Sequence, residues 1–185
     1  MRSIRGLRRI KTAESASIPV TVSSSSGLHL HRPKAPLPGL SDFDPLDGDL
    51  DAINAWKRFG GLSLDQAHRL FLENPLCYQE DFMFMGPAAL DYYFPVIDRY
   101  LREFRRSDDD DDDGCAWILG AAMVSQLETT RPRPIATGTA MEIADLAAFM
   151  IGEIDRFAVD SHGETRILEP WRKAGLLAAE RNADH

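Results

Sequence analysis

Residues 76–106 read LCYQEDFMFMGPAALDYYFPVIDRYLREFRR, and this stretch decides the fold. Its opening gathers Phe82, Met83, Phe84 and Met85 directly behind Glu80 and Asp81. From Pro87 onward, Leu90, Tyr93, Phe94, Ile97, Leu101 and Phe104 recur at helical spacing and form one apolar stripe. Asp91, Asp98, Arg99, Arg102, Glu103, Arg105 and Arg106 take the other side, with the arginines crowded at the end where they oppose the helix dipole. Pro87 suits a first helical turn, because the N–H it lacks has no intrahelical acceptor there. Pro95 lies inside the same pattern and crowds the Asp91 carbonyl, so a kink or restart is expected that would re-aim Tyr92 and Tyr93. The reading is a core helix over 87–106, preceded by an extended or irregular Met/Phe run in which short strands near residues 78–85 would be no surprise.

The same periodicity extends outward in both directions. Upstream, a helix is expected from Asp49 to Phe59, stopped by Gly60 and Gly61. Ser63 with Gln66 forms a capping box, and Leu64, Ala67, Leu70 and Phe71 line one face of the helix it opens, which ends at Asn74 and Pro75. Downstream of Gly114, CAWILGAAMVSQLE is apolar on nearly every side and shorter than the roughly 20 residues a membrane span needs, so it reads as a buried helix. Arg131, Pro132, Arg133 and Pro134 read as an extended connector. Thr139 and Glu142 form a second capping box, followed by Ile143, Leu146, Ala147, Met150, Ile151, Ile154 and Phe157 on one face. VDSHGET reads as a turn, with Asp160, His162 and Glu164 serving turn chemistry around Gly163. A last helix carries Ile167, Leu168, Trp171 and Ala174, with Pro170 in its first turns. No long alternating pattern and no internal repeat occur, so the fold class is all-α, a compact bundle of five or six helices.

One motif carries a resemblance. Pro87, Ala89, Tyr92, Tyr93 and Pro95, led by Phe82 or Phe84, form a pattern that resembles a small bacterial helical family of unknown function over roughly residues 80–155. The resemblance implies a helical fold and no activity, and it transfers no functional residue.

Charge divides the chain. Residues 1–40 hold seven Lys and Arg residues against Glu14 alone, whereas residues 41–185 hold 14 basic and 28 acidic groups, a formal charge of −14 beneath the overall −8. The Ser/Pro-rich first 40 residues cannot bury enough surface to offset their ordering entropy, so they are expected to form a disordered tail before a single acidic domain over 41–185. Ile4, Leu7 and Ile10 among the arginines leave three readings of the first turns: a targeting presequence, a contact with an anionic surface, or a tail without function. His29 and His31 in this tail read as solvated. A domain of this sign repels nucleic acid and attracts basic proteins.

The acidic runs do not have the spacing of a metal site. With Gly48 in the sixth position of a calcium loop, Phe43 and Pro45 occupy ligand positions and Asn54 stands where a bidentate Glu belongs. DFDPLDGDLDA therefore reads as an acidic turn into a helix. Asp108–Asp113 repel one another and read as a flexible, solvated loop over 107–113. Cys77 and Cys115 have no metal-ligand spacing and make no disulfide framework, which points to a reducing, cytoplasmic setting.

No phosphate loop, nucleophile elbow or helical histidine pair occurs, and no cofactor is expected. The reading is a noncatalytic protein–protein interaction domain for a basic partner, an immunity-type protein being one concrete form, with Glu80, Asp81, Met83, Met85, Tyr92 and Tyr93 as its binding surface. Two alternatives stand beside it. One is a small hydrolase or metal-dependent enzyme assembled from His68, Glu80, Asp81 and His162; the other is a structural or regulatory subunit.

Overall fold

The structure, a computed structural model, describes residues 36–106, 113–129, 134–158 and 160–183. The basic tail through residue 35, most of the aspartate loop and Arg131–Arg133 lie outside them. Among the described residues the elements are α1 Leu40–Phe43, α2 Leu50–Phe59, α3 Leu64–Glu73, α4 Pro75–Tyr78, α5 Asp81–Phe84, α6 Pro87–Glu103, α7 Ala116–Glu128, α8 Thr137–Gly152, a 3-10 turn Ile154–Arg156, and α9 Ser161–Ala183. The fold is all-α. Six of these helices have ten or more residues; the other three are single turns, too short for an apolar period to register.

Local chemistry sets the helix starts. Asp49 caps α2, its Oδ1 accepting from the Asp51 and Ala52 amides at 3.0 and 3.2 Å. Asp44 Oδ2 holds the turn before it by accepting from the Gly48 and Asp49 amides, so the acidic turn works as a helix entry. The Ser63/Gln66 capping box opens α3 as its sequence requires. Asn74 then caps α4, where Pro75 fills the first position. Two single helical turns, ending at Tyr78 and spanning Asp81–Phe84, therefore occupy most of the run expected to be extended or irregular, and no strand forms among the described residues there. Phe82 and Met85 are three residues apart and both fully buried, which is a helical period rather than an alternating one.

Three other boundaries differ from expectation. The helix α8 starts at Thr137, so Thr139 is a buried first-turn residue instead of the cap, and Ile151 falls on the exposed side. Asp160 Oδ1 accepts from the Gly163 amide at 2.7 Å, and α9 begins at Ser161. Pro170 consequently lies in the interior of α9 rather than in its first turns. The helix α6 continues through Pro95 without a restart and stops at Glu103, three residues before the expected end.

The described residues share one core. α9 packs on α7 and α8, α6 packs on α3 and α1, and α5 sits between α2 and α7. Trp171 of α9 donates from Nε1 to the Ala116 carbonyl at 2.8 Å. Gly120 makes room for it, since a Cβ there would lie 2.9 Å from that nitrogen. The aromatic residues of the central stretch are absorbed into this core. Tyr93 meets Phe43 and Phe59 at 5.7 and 5.8 Å, Phe59 meets Phe82 at 5.3 Å, and Phe82 meets Phe71 at 5.5 Å. The Tyr93 hydroxyl bonds the Phe59 and Leu62 carbonyls at 2.6 and 2.9 Å, tying α6 to the end of α2.

Candidate functional site

Asp51, Asn54 and Arg58 are spaced three and four apart, so α2 presents them on one face. α4 supplies Cys77, and α5 with its leading residue supplies Glu80, Asp81 and Phe84. These seven side chains line a cleft of about 210 Å³. Its anchor is an ion pair in which Arg58 Nη1 donates to Asp81 Oδ1 at 2.7 Å. The Asp81 side chain is only 5% exposed, against 40% for Arg58. Asp81 Oδ2 is buried and has no hydrogen-bond partner among the described residues. The guanidinium also stands 5.8 Å from the centre of the Tyr78 ring.

Electrostatics separate the four charges. Burial pushes the Asp81 carboxyl above its ordinary range, and the nearby Glu80 and Asp51 charges push the same way, against the hydrogen bond and charge of Arg58. Arg58 stays cationic, raised first by its hydrogen bond to Asp81. Asp51 and Glu80 are exposed and have no ion-pair partner among the described residues. Leu50 and Leu76, which precede the lining residues Asp51 and Cys77 in the chain, are 74% and 69% exposed and are not themselves part of the lining.

The structure divides the expected binding surface. Glu80 and Asp81 line the cleft, Met83 and Tyr92 are half-buried, and Met85 and Tyr93 are fully buried in the core. Met85 and Tyr93 present nothing to a partner in this arrangement, because packing and the Tyr93 hydroxyl bonds use them internally. Asp51, Asn54, Arg58, Cys77 and Phe84 are the lining residues that the sequence reading missed. Their signal was the polar stripe on α2 directly after an exposed leucine, but only the fold places α5 opposite it.

Of the four residues of the enzyme alternative, Glu80 and Asp81 line this cleft and the two histidines do not. His68 is buried on α3, its Nε2 lacks a hydrogen-bond partner among the described residues, and the Glu103 carboxylate lies 3.8 Å away. Burial and the Arg99 charge lower its pKa, outweighing Glu103 and Asp65. His162 is exposed in the first turn of α9. Neither histidine lines the cleft. Among the described residues no three His, Cys, Asp or Glu side chains converge as metal ligands, and no helix is long and apolar enough to cross a membrane.

No protein family, curated protein or solved structure matches the chain.

Proposed function

We propose that the protein is a noncatalytic interaction domain that captures a basic protein partner. The observation supporting this reading is the cleft, lined by the exposed carboxylates of Asp51 and Glu80, which have no ion-pair partner among the described residues, with the exposed Leu50 and Leu76 next to lining residues in the chain. Apolar anchors beside charge are what a specific interface needs, since burial supplies affinity and complementary charge supplies orientation and association rate. The −14 of residues 41–185 extends that field over the domain. An immunity-type protein that neutralises a basic toxin is one form of this function, because opposite charge speeds capture.

The test is affinity capture from an extract of the native cell at low and at high salt, with the retained proteins identified and their binding repeated with purified components. A basic protein that binds directly and is released by salt supports the reading. Failure to find any direct, salt-sensitive basic partner sinks it.

A further inference from the structure

We infer that His68 and Glu103 form a proton-operated latch between α3 and the last turn of α6: a neutral imidazole leaves it open, and a protonated one draws the Glu103 carboxylate onto Nε2. The inference is independent of the basic-partner reading. The observed geometry is the open form. His68 Nε2 is buried without a hydrogen-bond partner among the described residues, and Glu103 Oε2 stands 3.8 Å from it, beyond hydrogen-bond reach but near enough for a side-chain rotation to close. The other carboxylate oxygen is already held, because Arg99 Nε donates to Glu103 Oε1 at 3.0 Å. One carboxylate therefore faces an arginine of its own helix and a histidine of α3.

Burial decides which side moves. The His68 side chain is 5% exposed and packed in place, whereas that of Glu103 is 57% exposed and has room to rotate. Charge decides the direction. A protonated imidazole donates from both nitrogens, and a buried donor without an acceptor is unfavourable. The charged groups acting on His68 are Asp65 on its own helix and Arg99 and Glu103 on α6. Arg99 also reaches Asp65, Nη1 to Oδ1 at 3.6 Å. Two carboxylates against one guanidinium leave a net negative charge that the His68 proton cancels. The helix α4, which also packs on α3, carries only Cys77 and Tyr78 as titratable groups, and neither acts on the imidazole.

Desolvation of the ring opposes the proton, with Arg99 adding to it, so the latch closes in mild acid, below the ordinary histidine range. Closure on Glu103 then offsets part of the cost of charging a buried ring. It also ties the last residue of α6 to α3, beside the Arg102 and Phe104 carbonyls that Arg156 holds.

The test follows the His68 ring and the Glu103 side chain of the isotopically labelled full chain by NMR from about pH 8 to about pH 4. The nuclear Overhauser contact between the His68 ring protons and the Glu103 γ protons is expected to strengthen as the ring protonates. Glu103→Gln should lower the His68 titration midpoint by about half a pH unit, and Arg99→Gln should raise it by about as much. Glu73→Gln, which removes a carboxylate of α3 that does not act on His68, should leave the midpoint in place. Arg99 and Glu103 are both more than half exposed, so these variants keep the core intact. A contact of constant strength across the titration overturns the latch even where the midpoints shift, since charge acting through space needs no movement. Equal midpoints in Glu103→Gln and the parent chain overturn it as well, and so does unfolding of the chain before His68 takes up its proton.

Discussion

At the scale of single residues, two positions hold segments together through groups that the sequence does not advertise. Gln126 of α7 is buried, and its Nε2 faces the carbonyls of Phe82, Met83 and Met85 at 2.9, 3.0 and 2.7 Å. It collects the open end of α5 and so fixes one wall of the cleft. A carboxylate there would oppose three carbonyl oxygens. Gln126→Glu is therefore expected to destabilise the fold by about 2 kcal/mol or more near neutral pH, and by less in acid as the carboxyl protonates; urea unfolding at two pH values measures both. Gly86 precedes α6, where its amide donates to the Phe43 carbonyl at 2.8 Å. A Cβ there would collide with the Asp42 carbonyl oxygen and lie 2.8 Å from Pro45 Cδ. Gly86→Ala should cost roughly 1–3 kcal/mol, and an unchanged denaturation midpoint would show that this loop yields freely. His68 adds a pH dependence. Its folded pKa is lowered, so the unfolded chain takes up the proton first as pH falls; its contribution to stability is full above about pH 6.5 and is lost below it. His68→Leu should accordingly flatten the stability curve between about pH 7 and about pH 5.5, and an unaltered slope would place the acid sensitivity elsewhere. Asp81 works with the opposite sign, because its folded pKa is raised and its contribution fades as pH climbs through that value.

At the scale of elements, the end of α6 was the least readable boundary. The sequence places arginines at residues 99, 102, 105 and 106, as if to oppose the dipole of a longer helix. The chain instead leaves helical geometry at Phe104, and the exposed carbonyls are taken by a residue more than fifty positions away. Arg156 Nη2 donates to the Arg102 and Phe104 carbonyls at 2.9 and 2.8 Å. Arg106 returns the favour to the Ala158 carbonyl at 2.6 Å. Arg102 is turned sideways onto Asp98 and Asp145 at 2.8 and 2.6 Å, and both Arg102 and Arg156 stand over the Phe149 ring. Removing Arg156 uncovers two carbonyls at one helix end. Arg156→Ala is expected to cost about 1–3 kcal/mol and to speed amide exchange in the last turn of α6 while leaving α3 unaffected. Uniform acceleration across all helices would show that the contact supports the whole core rather than that end. The α3 start, by contrast, was readable because both partners of its cap lie within four residues.

At the scale of the molecule, charge dominates what composition could reveal. The described ion pairs that are well exposed on both sides, such as Lys173–Glu128 and Arg99–Asp65, are each worth at most about 1 kcal/mol. Against them stands a net charge of −8 that disfavours compaction. Raising salt from about 20 mM to about 200 mM should therefore increase the melting temperature by a few degrees, since screening relieves more repulsion than attraction. A fall would mean that the ion pairs outweigh the net field.

By itself the sequence determined the helical class, the places of the six long helices, the cap at Ser63, and the acidic character of the domain. These are local properties, carried by apolar period, by capping partners a few residues apart and by summed charge. Only the tertiary structure decided which aromatic residues of 76–106 face inward, where α6 ends, and that Asp51, Arg58 and Asp81 share a cleft. Those outcomes depend on contacts between residues that are distant along the chain, and no local period encodes the partner of a side chain that reaches across the core.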